Sequence, residues 1–409
     1  MNFKFNDLNK SKIFYFIVTI IFFITLMIIN ILGLGENSDN VKSVSASEIS
    51  SEEISSLEGY DIESTAKAMY MFDANSDREI FKKNCDEKLA LASTTKVLTA
   101  ITTLENYSGD LDEKIQVPED AVGLEGSSMY LKSGEMLSVR ELLYGLMLPS
   151  GNDSAKALAI LTRGTEEEFC NLMNQTALKA GAVNSHFANS HGLDDDNHYT
   201  TARDLALITA YALKNDIFRD IVSTKNVVIN QTNKYETRFY KNKNKLLFEF
   251  DDCIGVKTGF TDNAGRCLVS AVESEGLQFI CVVLNCPNMF EESTRLMRKA
   301  KAEYKKYNII DKTDIIDTIN VLNGKKNEVK IYPLESFDCV LNEEELENID
   351  VEYSYPKEID APVYEFDNLG DIKVFVKEHL IFSTNLCSID NIKSIKTKDL
   401  VKDILNNWS

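Results

Sequence analysis

The segment Ile254–Leu284 has the sequence IGVKTGFTDNAGRCLVSAVESEGLQFICVVL, and its pattern gives the strongest indication of the fold class. Turn-forming Asp, Asn and Gly residues divide it into three strand-like runs: Ile254 to Thr258, Arg266 to Val272 and Leu277 to Leu284. Short runs of this kind, separated by tight turns, predict an antiparallel meander of three strands. The following residues, Glu291 to Tyr307, return to a helical pattern.

Upstream of this meander the pattern changes from strands to helices. Ala66 to Asp73 and Glu79 to Lys82 predict two strands around a turn. Apolar positions at helical spacing predict helices from Ser93 to about Asn106, from Val139 to Leu148, and beyond Asp153. Because strands lie at both ends of this region, one sheet must recruit its first and last segments. The predicted fold class is therefore α+β, an antiparallel sheet flanked by helices.

Four further segments are predicted around this domain, which we place at residues 58–310. Residues 1–35 predict a membrane anchor or signal segment, and residues 36–57, rich in Ser, Glu and Asn, predict a flexible linker. Short Val and Ile runs predict a small all-β domain at 311–393. Residues 394–409 predict an amphipathic tail helix, which suits a membrane surface and docking on the β domain equally well.

The N-terminal segment predicts export. Ile13 to Leu34 is almost wholly apolar, and as a helix it would be roughly 33 Å long, enough to cross a bilayer. Three lysines precede it, so we expect the remaining chain at the outer face of the cytoplasmic membrane, either anchored or secreted. Val44-Ser45-Ala46 is similar to a cleavage site but lies far beyond the apolar run, which favours a retained anchor.

Charge and cysteine usage argue against several classes of function. The net charge of −20 argues against nucleic acid as a partner, because phosphate binding needs a positive face. The eight cysteines include no C-x-x-C pair, which argues against a zinc site. We expect mostly buried, reduced thiols, although Cys281 could pair with Cys286. No metal and no cofactor is expected.

Three short motifs carry the candidate chemistry: Ser93-Thr94-Thr95-Lys96, Ser150-Gly151-Asn152 and Lys257-Thr258-Gly259. Ser93 and Lys96 are one turn apart at a predicted helix start, so a lysine of lowered pKa could take the proton of the serine hydroxyl. The N–H groups of that helix start could also stabilise an oxyanion. Judged from these residues alone, a capping serine beside a solvated lysine is an equal alternative.

The other two motifs also have simple alternatives. Ser150 and Asn152 could relay a proton and hold a carbonyl group, or Asn152 or its neighbour Asp153 could cap a helix. Lys257 lies on a predicted strand beside glycines that leave room for a second backbone, so it could hold a substrate carboxylate. A solvated lysine at the end of a strand would have the same sequence.

The ordered motifs resemble those of penicillin-binding proteins and class A β-lactamases. Their surroundings are similar to the low-molecular-weight D-alanyl-D-alanine carboxypeptidases. The similar stretches are LASTTKVLTA (Leu91 to Ala100), EGSSMYLKSGEMLSVRELLYGLMLPSGNDSAKAL (Glu125 to Leu158), NSHGLDDDNHYTTARDL (Asn189 to Leu205) and GVKTGFTDNAGRCLV (Gly255 to Val269). The resemblance spans about Ala66 to Tyr307, and the β domain fits the family's C-terminal module.

The resemblance implies a role for each motif residue. Ser93 would be the acylated nucleophile, Lys96 its general base, and Ser150 the shuttle that carries the proton to the departing D-alanine. Asn152 would bind the peptide carbonyl group. On the substrate-binding strand, Lys257 and Thr258 would hold the terminal carboxylate, Gly259 would leave room for the substrate, and the N–H of Phe260 would form the oxyanion hole with that of Ser93.

One feature of the family has no assigned counterpart in this sequence. An additional arginine often lies near the substrate carboxylate, shortly after the last strand of the sheet, but the corresponding neighbourhood here has the sequence Asn288-Met289-Phe290. Arg266 and Arg295 are the nearest candidates in sequence.

Three histidines, His186, His191 and His198, lie near the acidic run Asp194 to Asp196. Their spacing is not the regular one of a metal site. The resemblance of this stretch to the family therefore favours a structural loop over a metal centre.

The resemblance implies an enzyme that removes the terminal D-alanine from peptidoglycan stem pentapeptides through an acyl-serine intermediate. β-Lactam antibiotics would be its covalent inhibitors. A serine β-lactamase is an alternative, although no E-x-x-L-N stretch lies between Ser150 and Lys257. A non-catalytic penicillin-binding wall sensor with the same fold is a second alternative.

Overall fold

The computed structural model describes residues 56–396. The predicted N-terminal anchor, nearly all of the linker and most of the predicted tail helix lie outside these residues. The predicted start of the tail helix is wrong, because Ser394 forms an antiparallel β-bridge with Gly324 and the N–H of Ile395 donates to Asn323 O. Within 56–396, no helix combines the length and the apolar character needed to cross a membrane.

The helices and strands are numbered in chain order. The helices are α1 Lys96–Asn106, α2 Val139–Met147, α3 Asn152–Arg163, α4 Glu166–Lys179, α5 Ala202–Leu213, α6 Asp216–Ser223, α7 Leu246–Glu249, α8 Met289–Glu303 and α9 Glu343–Glu347. The strands are β1 Tyr60–Asp61, β2 Ala68–Asp73, β3 Arg78–Lys83, β4 Lys114–Gln116, β5 Met136–Ser138, β6 Asn226–Ile229, β7 Arg238–Lys241, β8 Cys253–Thr261, β9 Gly265–Ser274, β10 Leu277–Leu284, β11 Lys305–Ile310, β12 Asp317–Leu322, β13 Glu328–Pro333, β14 Phe337–Leu341, β15 Ile349–Ser354, β16 Glu358–Asp360, β17 Asn368–Val376 and β18 His379–Ser388.

The first and last strands of the N-terminal region share one six-stranded sheet, in the order β1-β3-β2-β10-β9-β8. Strands β8, β9 and β10 form the predicted antiparallel meander, and β10 continues the sheet by pairing with β2, where Cys281 lies opposite Met71. Only the short β1 runs parallel to its neighbour. The predicted α+β class, with an antiparallel sheet flanked by helices, is confirmed.

Helices cover both faces of this sheet. On one face, α5 packs against β2 and β10, and α1 to α4 complete a large apolar core that includes Phe169 and Phe187. On the other face, α8 packs against β9 and β10 and buries Leu296 beside Leu268. Strand β8 stays at the edge of the sheet, beside the helical layer. This edge borders the candidate site.

The helix predicted for Glu291 to Tyr307 is wrong at its C-terminal end. Helix α8 stops at Glu303, and Lys305–Ile310 is strand β11, which pairs with β14. The change occurs at Tyr304, whose backbone is extended (φ −107°, ψ 134°) and whose buried ring packs edge-on against Phe81. Tertiary pairing therefore overrides the helical pattern of these residues.

The C-terminal region is a small β domain, as predicted. Its main sheet has the order β15-β17-β18-β13-β12-β16 around a core that includes Ile331, Val374 and Leu386. Its one short helix among the described residues is α9, which begins with a capping box between Asn342 and Glu345. All eight cysteines are free, and seven of them are buried, so Cys281 and Cys286 form no disulfide.

Candidate active site

Ser93 lies on a 3-10 turn, Ala92–Thr95, that leads directly into α1. Two threonines of this turn fold back on it: Thr94 Oγ1 donates to Leu91 O (2.6 Å) and Thr95 Oγ1 donates to Ala92 O (2.8 Å). The Ser93 side chain makes no capping bond to the backbone of the turn or of α1. Ser93 is therefore not a helix cap, and its partly buried hydroxyl is available for other contacts.

Lys96 is completely buried, and its side-chain nitrogen meets three oxygen atoms. Nζ lies 2.8 Å from Ser93 Oγ, 2.8 Å from Asn152 Oδ1 and 2.7 Å from the carbonyl oxygen of His191. Two of these atoms are carbonyl oxygens, which can only accept hydrogen bonds. A neutral amine would donate its two protons to them and accept the hydroxyl proton of Ser93 with its lone pair. The alternative of a solvated lysine is wrong.

The environment of Lys96 favours that neutral form. Burial lowers the pKa of Lys96 well below its ordinary value, and the positive charges of Lys257 and Lys243 lower it further. The carboxylate of Asp153 acts in the opposite direction but does not outweigh them. A lysine in this state can serve as a base near neutral pH.

Asn152 is the first residue of α3, but it does not cap that helix. Gly151 is the N-cap residue, and no side chain caps the helix start. The Asn152 amide instead bridges two segments, because Oδ1 accepts from Lys96 and Nδ2 donates to Glu125 O (2.7 Å). Its backbone N–H donates to Ser127 O (2.7 Å). Asp153 does not cap α3 either, since it accepts hydrogen bonds from the segment 128–131.

Ser150 lies just before this helix in a left-handed conformation (φ +69°). Its hydroxyl oxygen is buried and has no hydrogen-bond partner among the residues that the structure describes. A buried hydroxyl without a partner is costly, and such groups concentrate at functional sites.

Strand β8 carries the third motif along the edge of the sheet. A Cβ on Gly259 would lie 2.9 Å from Leu91 O and 3.1 Å from Thr94 N, so only glycine lets the strand pack this closely on the turn that carries Ser93. Lys257 is buried rather than solvated, and its Nζ donates to Thr258 O (2.8 Å). Burial, with a smaller contribution from Lys243, lowers the pKa of Lys257 to about 7.

The next residues of β8 are more open. Alternation along the strand puts Thr258 on the face opposite Lys257, and its side chain is half-buried. The ring of Phe260 is exposed and lies 5.6 Å from the Arg266 guanidinium. Of the two candidate arginines, Arg295 is paired with Glu292, whereas Arg266 lies directly opposite Phe260 in the pairing of β8 with β9.

Sequence reasoning missed the loop that supports Lys96 from the other side. His191 contributes its backbone carbonyl, and burial lowers the pKa of its ring to about 4. Its neighbour Gly192 packs against Ala92. A backbone carbonyl group has no signature in the sequence, because every residue carries one. The only indication of this loop's role is the similarity of the stretch Asn189–Leu205 to the family.

The three histidines make separate contacts rather than one cluster. His198 is hydrogen-bonded to Thr95 Oγ1 (2.7 Å), and His186 to the carbonyl oxygen of Asn197 (2.6 Å). Within residues 56–396, no group of three His, Cys, Asp or Glu side chains could hold a metal ion.

Comparisons with known proteins show which family the chain resembles. Residues 54–288 match the family model described as D-alanyl-D-alanine carboxypeptidase, and residues 304–394 match the C-terminal domain of penicillin-binding protein 5. The chain is 30% identical over 344 residues to D-alanyl-D-alanine carboxypeptidase DacC of Escherichia coli, which covers 80% of this chain and 84% of that protein. It is 25% identical over 351 residues to DacF of Bacillus subtilis, covering 84% and 90% respectively.

Solved structures show the same likeness across both domains. The D-alanyl-D-alanine carboxypeptidase DacD of Francisella tularensis superposes with a TM-score of 0.67 at 26% identity, covering 84% of this chain and 97% of that one. Penicillin binding protein 5 of Haemophilus influenzae gives a TM-score of 0.66 at 26% identity, covering 81% and 99%.

Proposed function

The chain belongs to the D-alanyl-D-alanine carboxypeptidase family of serine hydrolases, and on that basis we propose that Ser93 attacks the bond between the two terminal D-alanines of a peptidoglycan stem pentapeptide. The observation that carries this proposal is the contact between Lys96 Nζ and Ser93 Oγ, at 2.8 Å, inside a buried site where two carbonyl oxygens occupy the other hydrogen-bonding positions of the amine.

Acylation follows from this arrangement. Lys96 takes the hydroxyl proton while Ser93 Oγ forms a bond to the carbonyl carbon of the penultimate D-alanine. The backbone N–H groups of Ser93 and Phe260 stabilise the oxyanion, and strand β8 presents its free edge to the peptide. The peptide C–N bond then breaks, and the D-alanine nitrogen receives a proton through the Ser150 hydroxyl.

Binding and deacylation use the remaining residues. Asn152 holds the peptide carbonyl group, while Lys257 and Thr258 hold the carboxylate of the terminal D-alanine, with Gly259 giving the strand its close approach. Water then hydrolyses the ester and restores the Ser93 hydroxyl. A β-lactam acylates the same serine through its strained amide, and no amine leaves, because the ring nitrogen stays attached.

The site of action follows from the predicted N-terminal segment. We place the enzyme at the outer face of the cytoplasmic membrane, where its polymeric substrate lies. The limits of the catalytic domain, 58–310, and of the β domain, 311–393, stay as predicted. A helix in the tail beyond residue 396 could help to hold the enzyme at the membrane.

Labelling with a fluorescent penicillin tests the nucleophile. Wild-type protein should be labelled covalently and Ser93→Ala should not, and equal labelling of both would refute the assignment. Release of D-alanine from a stem pentapeptide, and its loss after penicillin treatment, tests the activity. Labelling without D-alanine release would instead favour the non-catalytic sensor.

A further inference from the structure

A third lysine, Lys243, faces the candidate active site from the segment between β7 and α7. The two residues that flank Lys243, Asn242 and Asn244, hold that segment in place. Asn242 is buried and donates to Val222 O (3.3 Å) and Thr224 O (3.1 Å). Asn244 is also buried, and its side chain accepts from the N–H of Leu246 (3.1 Å).

Lys243 differs from the lysines on either side of it. Lys241 and Lys245 lie over aromatic rings, with Nζ 4.4 Å from the Phe248 ring and 5.6 Å from the Phe290 ring respectively. Lys243 Nζ donates instead to Ser127 Oγ (2.9 Å). Among the described residues it has no ion-pair partner. Its side chain is exposed, but the protein around its ammonium group removes enough water to lower its pKa.

The Ser127 contact leads to the residues that hold Lys96. Asn152 donates two hydrogen bonds to this segment: its backbone N–H to Ser127 O and its side-chain Nδ2 to Glu125 O. Between them, a Cβ on Gly126 would lie 2.9 Å from Asn152 Nδ2, so the segment packs tightly on that amide. The ammonium group of Lys243 therefore restrains the segment that orients Asn152, which in turn accepts from Lys96.

The charge of Lys243 also acts within the site. It contributes to the lowered pKa of both Lys96 and Lys257. The other titratable groups around Lys96 are Asp153 on α3, which raises its pKa, and His191 in the loop beyond α4, which is neutral near pH 7 and lies beside Glu166.

We propose that Lys243 is a positioning residue for acylation of Ser93: it restrains the Glu125–Ser127 segment against Asn152 and adds a positive charge beside the Ser93–Lys96 pair. This inference rests on the proposed function, because it concerns the same acylation step. The proposed role of Lys243 can be distinguished from a purely structural one. A lysine that only supported the fold would not change how the acylation rate depends on pH.

The test is the rate of Ser93 acylation by a fluorescent penicillin, measured against pH on the whole protein. Without the charge of Lys243, Lys96 binds its proton more tightly and becomes a base only at higher pH. The acidic limb of the pH–rate profile, where the acylation rate rises with pH, should therefore shift to higher pH by about half a unit in Lys243→Gln. Lys243→Arg should keep the wild-type limb. Ser127→Ala should also keep it but slow acylation about fivefold, as expected for one lost hydrogen bond worth about 1 kcal/mol.

Lys245→Gln is the matched control, because it removes the same charge two residues away, and it should behave as the wild type. The charge part of the proposal is overturned if Lys243→Gln keeps the acidic limb of the wild type, or if Lys243→Arg or Lys245→Gln shifts that limb as Lys243→Gln does. The positioning part is overturned if Ser127→Ala is acylated at the wild-type rate. A wild-type protein that is not acylated at Ser93 defeats the proposed function instead.

Discussion

A methyl group on Gly192 would lie 2.0 Å from the carbonyl oxygen of Ala92, so the loop that follows α4 packs directly on the turn that carries Ser93. Gly192 also has φ +87°, a conformation that side chains disfavour. The residue before it, His191, gives its carbonyl oxygen to Lys96. The position of the base therefore depends on a glycine at 192.

We expect Gly192→Ala to slow acylation at least tenfold and to lower the free energy of unfolding by about 2 kcal/mol, because the loop must move away from the turn. Penicillin labelling rates and urea unfolding measure the two effects. Gly276→Ala is the control, since Gly276 has φ +82° but open space around its Cβ position. Similar losses in both variants would show that backbone strain alone is responsible, and that the fit to Ala92 is not.

Lys96→Met should slow acylation of Ser93 by about 10³-fold, the usual contribution of a positioned general base. Methionine fills a similar volume without a basic nitrogen, so the core around α1 should keep its packing. The measurement is the second-order rate constant for penicillin labelling, with circular dichroism to show that the variant is folded. A rate within about threefold of the wild type would exclude Lys96 as the base.

Much of the fold could be predicted from sequence because its signals are local. The glycine and asparagine turns of the segment 254–284 fix the meander, and the apolar spacing of Val139–Met147 fixes a helix. The error at Tyr304 has a different origin. The Tyr304 ring contacts Phe81, more than two hundred residues away, and the next residue, Lys305, pairs with Leu341 of β14. No window of local sequence contains either interaction.

The same distinction applies to the site. Ser93, Lys96, Asn152 and Lys257 could be located because their side chains are chemically specific and their motifs are ordered. The carbonyl oxygen of His191 could not, because every residue has one. Lys243 is one of three lysines at alternate positions, and only its contact with Ser127, from a segment 116 positions away, distinguishes it from the other two.

A buried ion pair joins the two domains, and its loss should destabilise the protein. Arg78 on β3 pairs with Glu345 on α9, and the two side chains are only 5% and 4% exposed. Glu345→Gln leaves the guanidinium without its counter-charge, so we expect a loss of about 3 kcal/mol in the free energy of unfolding. Urea unfolding followed by circular dichroism measures it.

Glu344→Gln is the control for that variant. Glu344 forms an exposed pair with Lys377, so its substitution should cost less than about 1 kcal/mol. If Glu345→Gln is no more destabilising than this control, the pair does not stabilise the contact between the domains.

The last prediction concerns the carboxylate that Lys257 is proposed to hold. The pKa of Lys257 is about 7, below its ordinary value, so the free enzyme loses this positive charge as the pH rises through 7. A carboxylate binds the protonated form, and binding should therefore take up a proton. Affinity for a peptide ending in D-alanyl-D-alanine should fall by up to about tenfold per pH unit between about pH 7.5 and 9.

Ser93→Ala is the protein for this measurement, because it separates binding from acylation, and titration calorimetry in buffers of different ionisation enthalpy reports the proton directly. The same peptide with a C-terminal amide is the matched ligand, since it keeps every contact except the carboxylate charge. The amide should bind more weakly than the acid, and its affinity should stay nearly constant with pH. Equal pH dependence for the acid and the amide would mean that Lys257 does not bind the carboxylate as a cation.

The lowered pKa of Lys257 also predicts how stability depends on pH. Because Lys257 binds its proton less tightly in the folded protein than in the unfolded chain, the free energy of unfolding should rise with pH between about 7 and 10. Lys257→Met should reduce this rise, which urea unfolding at several pH values measures.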